Sequence, residues 1–99
     1  MKISAIVITF NEEHNIAAAL QSLSWAEEIV IVDAESTDRT AEIASAFTDR
    51  IFVRPWPGYS AQKNFAAEQA ENDWIFSLDA DERVTPELKS AILKIKDQS

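Results

Sequence analysis

Ile3-Ser4-Ala5-Ile6-Val7-Ile8-Thr9-Phe10-Asn11-Glu12-Glu13 passes from an apolar, β-branched run straight into a polar, acidic one. Residues 3–10 lack the alternation of a half-exposed strand, so they predict a strand buried on both faces, as in a parallel sheet. Asn11 follows as a helix N-cap, with Glu12 and Glu13 in the first turn, where carboxylates suit the positive end of the helix. Ile16, Ala19, Leu20 and Leu23 then recur at i, i+3, i+4 and i+7, the stripe of a core-facing helix.

The same pairing of strand and helix continues along the chain. Residues 28–33 (EIVIVD) are a second buried strand, and the polar turn Glu35-Ser36-Thr37-Asp38 caps a helix striped by Thr40, Ile43, Ala44 and Phe47. Residues 50–54 (RIFVR) are a short third strand. Pro55-Trp56-Pro57-Gly58-Tyr59 predicts an ordered loop, because its prolines remove backbone donors and restrict their neighbours. Ser60 caps a third helix that runs to Glu71, and residues 73–78 (DWIFSL) are a fourth strand, ending in Asp79-Ala80-Asp81-Glu82. Thr85 caps a last helix with Pro86 at its first position, striped by Leu88, Ala91, Ile92 and Ile95. Trp25 and Trp74 are expected to pack against the sheet. Strands alternating with amphipathic helices predict an α/β fold: a Rossmann-like parallel sheet of four strands, covered on both faces and joined by right-handed crossovers.

The 99 residues suffice for one core, and 46% of them are hydrophobic, as in an ordinary globular domain. A formal net charge of −8 argues against nucleic acid and against a polybasic membrane anchor, both of which need a basic face. Any anionic ligand must then be neutralised by a few placed cations or by a divalent metal. No cysteine is present, which excludes disulfides and thiolate metal sites. The longest apolar run, Ala5-Ile6-Val7-Ile8, is too short to span a bilayer, and a cytoplasmic location is expected. Gly58 is the only glycine, so neither a glycine-rich dinucleotide fingerprint nor a P-loop can be present.

Open parallel sheets bind ligands beyond the carboxyl ends of their strands. Those ends carry Thr9, Phe10, Asn11 and Glu12, then Asp33 to Ser36, then the aromatic loop of Trp56 and Tyr59, then Asp79 to Glu82. Asp79 and Asp81 flank a small residue just past a buried strand, where two carboxylates can converge on one cation. Mg²⁺ or Mn²⁺ prefers such oxygen ligands and commonly adds phosphate oxygens to them; a solvated acidic turn would use the same residues. Asp33 either accepts from a ribose or base, or caps its strand. Phe10 either stacks on a base or fills the core, and Lys63 either reaches a phosphate or stays solvated. No role is assigned to His14. Because Glu12 and Glu13 occupy the start of the first helix, phosphates are expected near Asp79, Asp81 and Lys63, with base and ribose over the first two strands.

Four segments together resemble the family 2 glycosyltransferases, inverting enzymes of the GT-A fold. They are Ile8-Thr9-Phe10-Asn11-Glu12-Glu13, Val32-Asp33-Ala34-Glu35-Ser36-Thr37-Asp38, Gln62-Lys63-Asn64-Phe65-Ala66 and Leu78-Asp79-Ala80-Asp81-Glu82. The forms Gly58-Tyr59-x-x-Gln62-Lys63-Asn64 and Ser77-Leu78-Asp79-Ala80-Asp81-Glu82 are most similar to the bacterial branch that adds glucose to the lipopolysaccharide inner core. The resemblance implies that Thr9, Phe10, Asn11, Glu12 and Asp33 hold uridine and that Lys63 approaches the diphosphate. It also implies that Asp79 and Ala80 lie against the nucleotide and that Asp79 and Asp81 hold the metal. Ala34-Glu35 departs from the Asp-Gly or Gly-Ser of many members, which makes the second loop less flexible.

The resemblance covers nearly the whole chain but only the first part of the family's domain, so residues 1–99 are expected to be its nucleotide-sugar-binding part. The general base that takes the acceptor proton has no counterpart here. The function implied is transfer of a hexose from a UDP-sugar to a saccharide acceptor, in lipopolysaccharide core or other cell-envelope polysaccharide synthesis. The full enzyme would associate peripherally with the membrane, and the isolated chain would be inactive. A non-catalytic nucleotide-binding module and a self-associating fragment are the alternatives. A phosphotransfer domain would need a nucleophilic aspartate after the first strand, where Asn11 stands. The fourth strand is expected at an open edge, through which the chain would form a homodimer.

Overall fold

A computed structural model describes residues 1–98 of the chain. β1 (Ile3–Thr9) is buried at all but one position because it pairs in parallel on both sides, with β2 (Glu28–Asp33) and with β4 (Trp74–Asp79). β3 (Ile51–Val53) adds outside β2, also in parallel, giving a four-stranded sheet of order β3-β2-β1-β4. Between and after the strands come α1 (Ile16–Gln21), α2 (Thr40–Ala44), α3 (Tyr59–Gln69) and α4 (Pro86–Asp97). The Rossmann-like α/β fold is therefore as the sequence implies.

Strand alternation divides the core in two. Ala5, Val7, Ile31 and Leu78 meet Ile16, Ala19, Leu20 and Leu23 from the α1 segment and Ala44 from α2. Ile6, Val30 and Val32 meet Ala66 of α3 on the opposite face, with Phe52 and Phe65 beside them. The helical stripe read from residues 16–23 is fully buried, each large side chain contributing roughly 1.5–3 kcal/mol. The chain lays down β1, β2 and β3 in one direction, then returns through α3 to the far side of β1. Right-handed crossovers in opposite directions put α1 and α2 on one face and α3 on the other. The strand order thus reverses between β1 and β4, which marks the crevice beyond their carboxyl ends as the natural ligand site.

Several local expectations are corrected. α1 starts at Ile16, with Asn15 as its N-cap, rather than after Asn11. Asn11 instead takes a left-handed φ of 50°, and the amides of Asn11, Glu12 and Glu13 donate to Ser36 Oγ, Thr40 Oγ1 and Asp38 Oδ2. The left-handed backbone at Asn11 breaks the helical path there, and the bonds to the second loop and the start of α2 hold that turn in place. Glu12 and Glu13 consequently lie in the preceding turn and not in the first turn of α1. The cap of α3 is Gly58, with φ of 110°, and Ser60 lies inside the helix, which ends at Gln69. Thr85 does cap α4, its Oγ1 accepting from Leu88 N at 3.1 Å, with Pro86 first in the helix.

Two apolar expectations fail for a common reason. The α4 stripe is not a core face: Ala91 is exposed, Leu88 and Ile95 are 42% and 57% exposed, and Ile92 alone of the four packs on the core. Trp74 is 59% exposed, whereas Trp25 packs edge-on against Phe76 at 5.4 Å. In both cases no described element covers the apolar side chains; Trp74 stands on β4, the edge strand among the described residues.

Candidate functional site

The carboxyl ends of β1 and β2 are locked together by side chains that the sequence placed there. Thr9 and Asp33 are each 1% exposed, and Thr9 Oγ1 donates to Asp33 Oδ1 at 2.6 Å. Asp33 also accepts from Ser36 Oγ at 2.6 Å and from Ser36 N at 2.8 Å, which folds the second loop back over the strand end. Asn11 Oδ1 accepts from Thr37 N at 2.9 Å, and Glu13 Oε2 accepts from Arg39 N at 3.2 Å, so the two loops exchange bonds in both directions. Partial desolvation pushes the Asp38 carboxyl up, but bonds from Thr40 Oγ1, Thr40 N and Glu13 N outweigh it and hold it below the ordinary aspartate range. Glu35 takes a left-handed φ of 58°, which an L residue adopts at a cost that glycine would avoid. The Ala34-Glu35 loop is therefore held by its bonds rather than left mobile by its sequence.

Phe10 is 58% exposed at the mouth of this arrangement, so it is not a core residue. Glu12 is half-buried and its Oε2 accepts from Asn15 Nδ2 at 3.1 Å. Thr9, Phe10, Asn11, Glu12 and Asp33 thus gather at the ends of two adjacent strands, whose register sets Thr9 opposite Asp33.

The second half of the site lies across β1, at the end of β4. Ala80 is 5% exposed and anchors the strand end in the core, which leaves Asp79 and Asp81 exposed on either side. The turn is closed by Glu82 N donating to Asp79 O at 2.9 Å, while Asp79 N donates to Glu82 Oε1 at 3.1 Å. Tyr59 Oη donates to Asp79 Oδ1 at 3.1 Å, and Lys63 Nζ sits 5.0 Å from the centroid of the same tyrosine ring. Lys63 is thereby brought to the Asp79 side of the sheet, as its expected role requires. Among the described residues no ion pair involves Asp79, Asp81 or Lys63.

Among the described residues no group of three or more His, Asp or Glu side chains is arranged to hold a metal ion. Two exposed carboxylates with uncommitted oxygens still fit a hard divalent cation whose remaining ligands come from phosphate and water. Tyr59 was missed by the sequence reading as a partner of Asp79, because a contact across twenty residues leaves no local spacing signal. Gln62 was quoted only as part of a motif; it is fully buried on the inner face of α3, and neither its Oε1 nor its Nε2 has a hydrogen-bond partner among the described residues. A broad concavity lies at the opposite, amino-terminal end of the strands, lined in part by Glu27, Glu28, Arg50 and Asn72. Arg50 Nε lies 3.4 Å from Glu28 there, and none of the expected site residues lines that hollow, so the two do not coincide.

Comparison with known proteins identifies the family. A glycosyltransferase of Rickettsia bellii is 46% identical over 92 residues, covering 92% of this chain and 31% of its own length. The lipopolysaccharide core biosynthesis glycosyltransferase LpsC of Rhizobium meliloti is 40% identical over 97 residues, covering 93% and 36%. The crystal structure of S. aureus TarS 1-349 in complex with UDP-GlcNAc superimposes with a TM-score of 0.76 at 32% identity, over 98% of this chain and 32% of that one. The chain spans about a third of the length of the curated relatives it matches. With the family's sequence pattern matched from residue 4 to residue 98, the chain belongs to Glycosyl transferase family 2.

Proposed function

We propose that this chain is the nucleotide-sugar-binding part of a metal-dependent, inverting glycosyltransferase that transfers a hexose from a UDP-sugar to a saccharide acceptor. The observation that carries the reading is the pair Asp79 and Asp81 at the end of β4, across the strand-order reversal from Thr9 and Asp33 and joined through Tyr59 to Lys63. Thr9, Phe10, Asn11, Glu12 and Asp33 would hold the uridine, Lys63 the diphosphate, and Ala80 would lie against the nucleotide. Asp79 and Asp81 would hold Mg²⁺ or Mn²⁺. Such an ion neutralises the charge that develops on a departing diphosphate. The chain's own residues then bind and orient the donor, while the general base lies outside residues 1–99.

The TarS likeness supports a UDP-sugar donor, and the LpsC likeness supports a place in lipopolysaccharide core or other envelope polysaccharide synthesis. Among the described residues no helix is long and apolar enough to cross a membrane. A cytoplasmic enzyme, peripherally associated with the membrane where its acceptor is a lipid-linked saccharide, fits that reading. Calorimetric titration with UDP, GDP and ADP, each with and without Mn²⁺, tests it. UDP should bind tightest and should depend on Mn²⁺; equal affinity for the three nucleotides, or indifference to the metal, would remove it.

A further inference from the structure

Asp79 and Lys63 carry opposite charges, both rest on Tyr59, and yet they do not pair with each other. A lysine and a carboxylate resting on the same ring could swing together into an ion pair, which would leave neither charge free for a ligand. The tyrosine divides them. Its hydroxyl takes one oxygen of Asp79 at 3.1 Å, and its ring face takes the ammonium of Lys63, a cation–π contact with a centroid distance of 5.0 Å.

The backbone fixes Tyr59 for this task. It is the first residue of α3, and Gly58 before it takes φ of 110°, a conformation that other residues rarely adopt. Pro55 and Pro57 stiffen the approach, and the Trp56 ring stands 6.5 Å from the Tyr59 ring, tilted by 58°. Tyr59 is still half exposed, so its position comes from this loop and from its two polar contacts rather than from core packing.

We propose that Tyr59 is a positioning residue that holds Asp79 and Lys63 apart and oriented, so that the carboxylate is free for a divalent cation and the ammonium for the diphosphate. The hydroxyl occupies Asp79 Oδ1 and leaves Oδ2 for the cation; the ring holds the lysine half-buried, where a phosphate oxygen can meet it. The inference rests on the donor-site reading above and names what keeps that site from neutralising itself.

Tyr59→Phe and Tyr59→Leu separate the two contacts. Manganese affinity is read by electron paramagnetic resonance in the presence of UDP, and UDP affinity is read by calorimetry in EDTA. Tyr59→Phe keeps the ring and should weaken Mn²⁺ about 3- to 10-fold, the scale of one net intramolecular hydrogen bond, while UDP binding in EDTA stays unchanged. Tyr59→Leu should weaken both, with UDP in EDTA falling about 3-fold, the scale of an exposed cation–π contact. On a Lys63→Met background, Tyr59→Leu should no longer alter UDP binding in EDTA, a coupling that a merely structural role would not produce. Unchanged Mn²⁺ affinity in Tyr59→Phe, or equal losses in both variants and on both backgrounds, would overturn the positioning role while the donor site stands. Wild-type protein that binds UDP identically with and without Mn²⁺ would overturn the site reading and this inference together.

Discussion

The Asp33 carboxylate takes three hydrogen bonds from Thr9 and Ser36, and the uridine assigned to it would supply a fourth. A carboxylate offers about four lone-pair positions, so both tasks can be met, but only if the inner three remain intact. Asp33→Ala should therefore do two things at once. It should lower stability by roughly 1–3 kcal/mol, since Thr9 and the Ser36 amide lose a buried acceptor, and it should weaken uridine as well as UDP, with or without metal. Urea unfolding reads the first and calorimetry the second; uridine affinity unchanged in folded Asp33→Ala would make Asp33 a structural cap alone. The position of Asp33 was legible in the sequence, because a buried strand ending in a carboxylate sets it at the ligand edge. Its commitment to Thr9 and Ser36 was not, since the cross-strand register that pairs Thr9 with Asp33 is a property of the sheet.

Strands were the most legible elements. β2 was read to the residue, because EIVIVD is apolar throughout and is bounded by polar residues. Helix starts were less so. Asn11, Glu12 and Glu13 have the composition of a helix start, but their amides are satisfied by Ser36, Thr40 and Asp38, and no local pattern announces a partner so distant. α4 shows the converse case: its cap and stripe are both in the sequence, yet its apolar face stays exposed. It is anchored instead by Lys96, whose Nζ donates to Glu27 at 2.6 and 2.8 Å. The Lys96 bond, followed by that from the Ile3 amide, holds the Glu27 carboxyl below the ordinary glutamate range. A carboxyl depressed in the folded state stabilises it above the unfolded pKa and loses that contribution as pH falls through the folded value. α4 should thus be anchored at neutral pH and loosen as pH drops below about 4.3, the ordinary glutamate value. Hydrogen exchange of the α4 amides should quicken in acid, and Lys96→Met should quicken it at neutral pH. Protection unaffected by either change would show that Ile92 packing alone holds the helix.

At the scale of the molecule, strand order decides what is left uncovered. β4 lies at the edge, as expected, and presents Trp74 and Ile75 at 59% and 43% exposure with no proline or central charge to blunt pairing. Leu88 and Ile95 of α4 add further exposed apolar surface. The isolated chain should therefore self-associate, most simply as a two-fold dimer through β4. Phe76 packs against Trp25, so Ser77 is the outward position, and Ser77→Lys should shift sedimentation toward monomer. A stable monomer at high concentration without that substitution would contradict the association.

The central claim is that a net-acidic chain without a glycine loop binds a nucleoside diphosphate through a cation held by the end of β4. Calorimetry of UDP and of uridine, in Mn²⁺, on wild type and on Asp81→Asn tests it most directly. Asp81 is exposed and makes no hydrogen bond or ion pair among the described residues, so the substitution should leave the fold intact. UDP should weaken by roughly 1–3 kcal/mol, the range for loss of a charged partner, while uridine, which lacks phosphates, should bind as before. UDP affinity identical in wild type and Asp81→Asn would contradict the metal site and the account built on it.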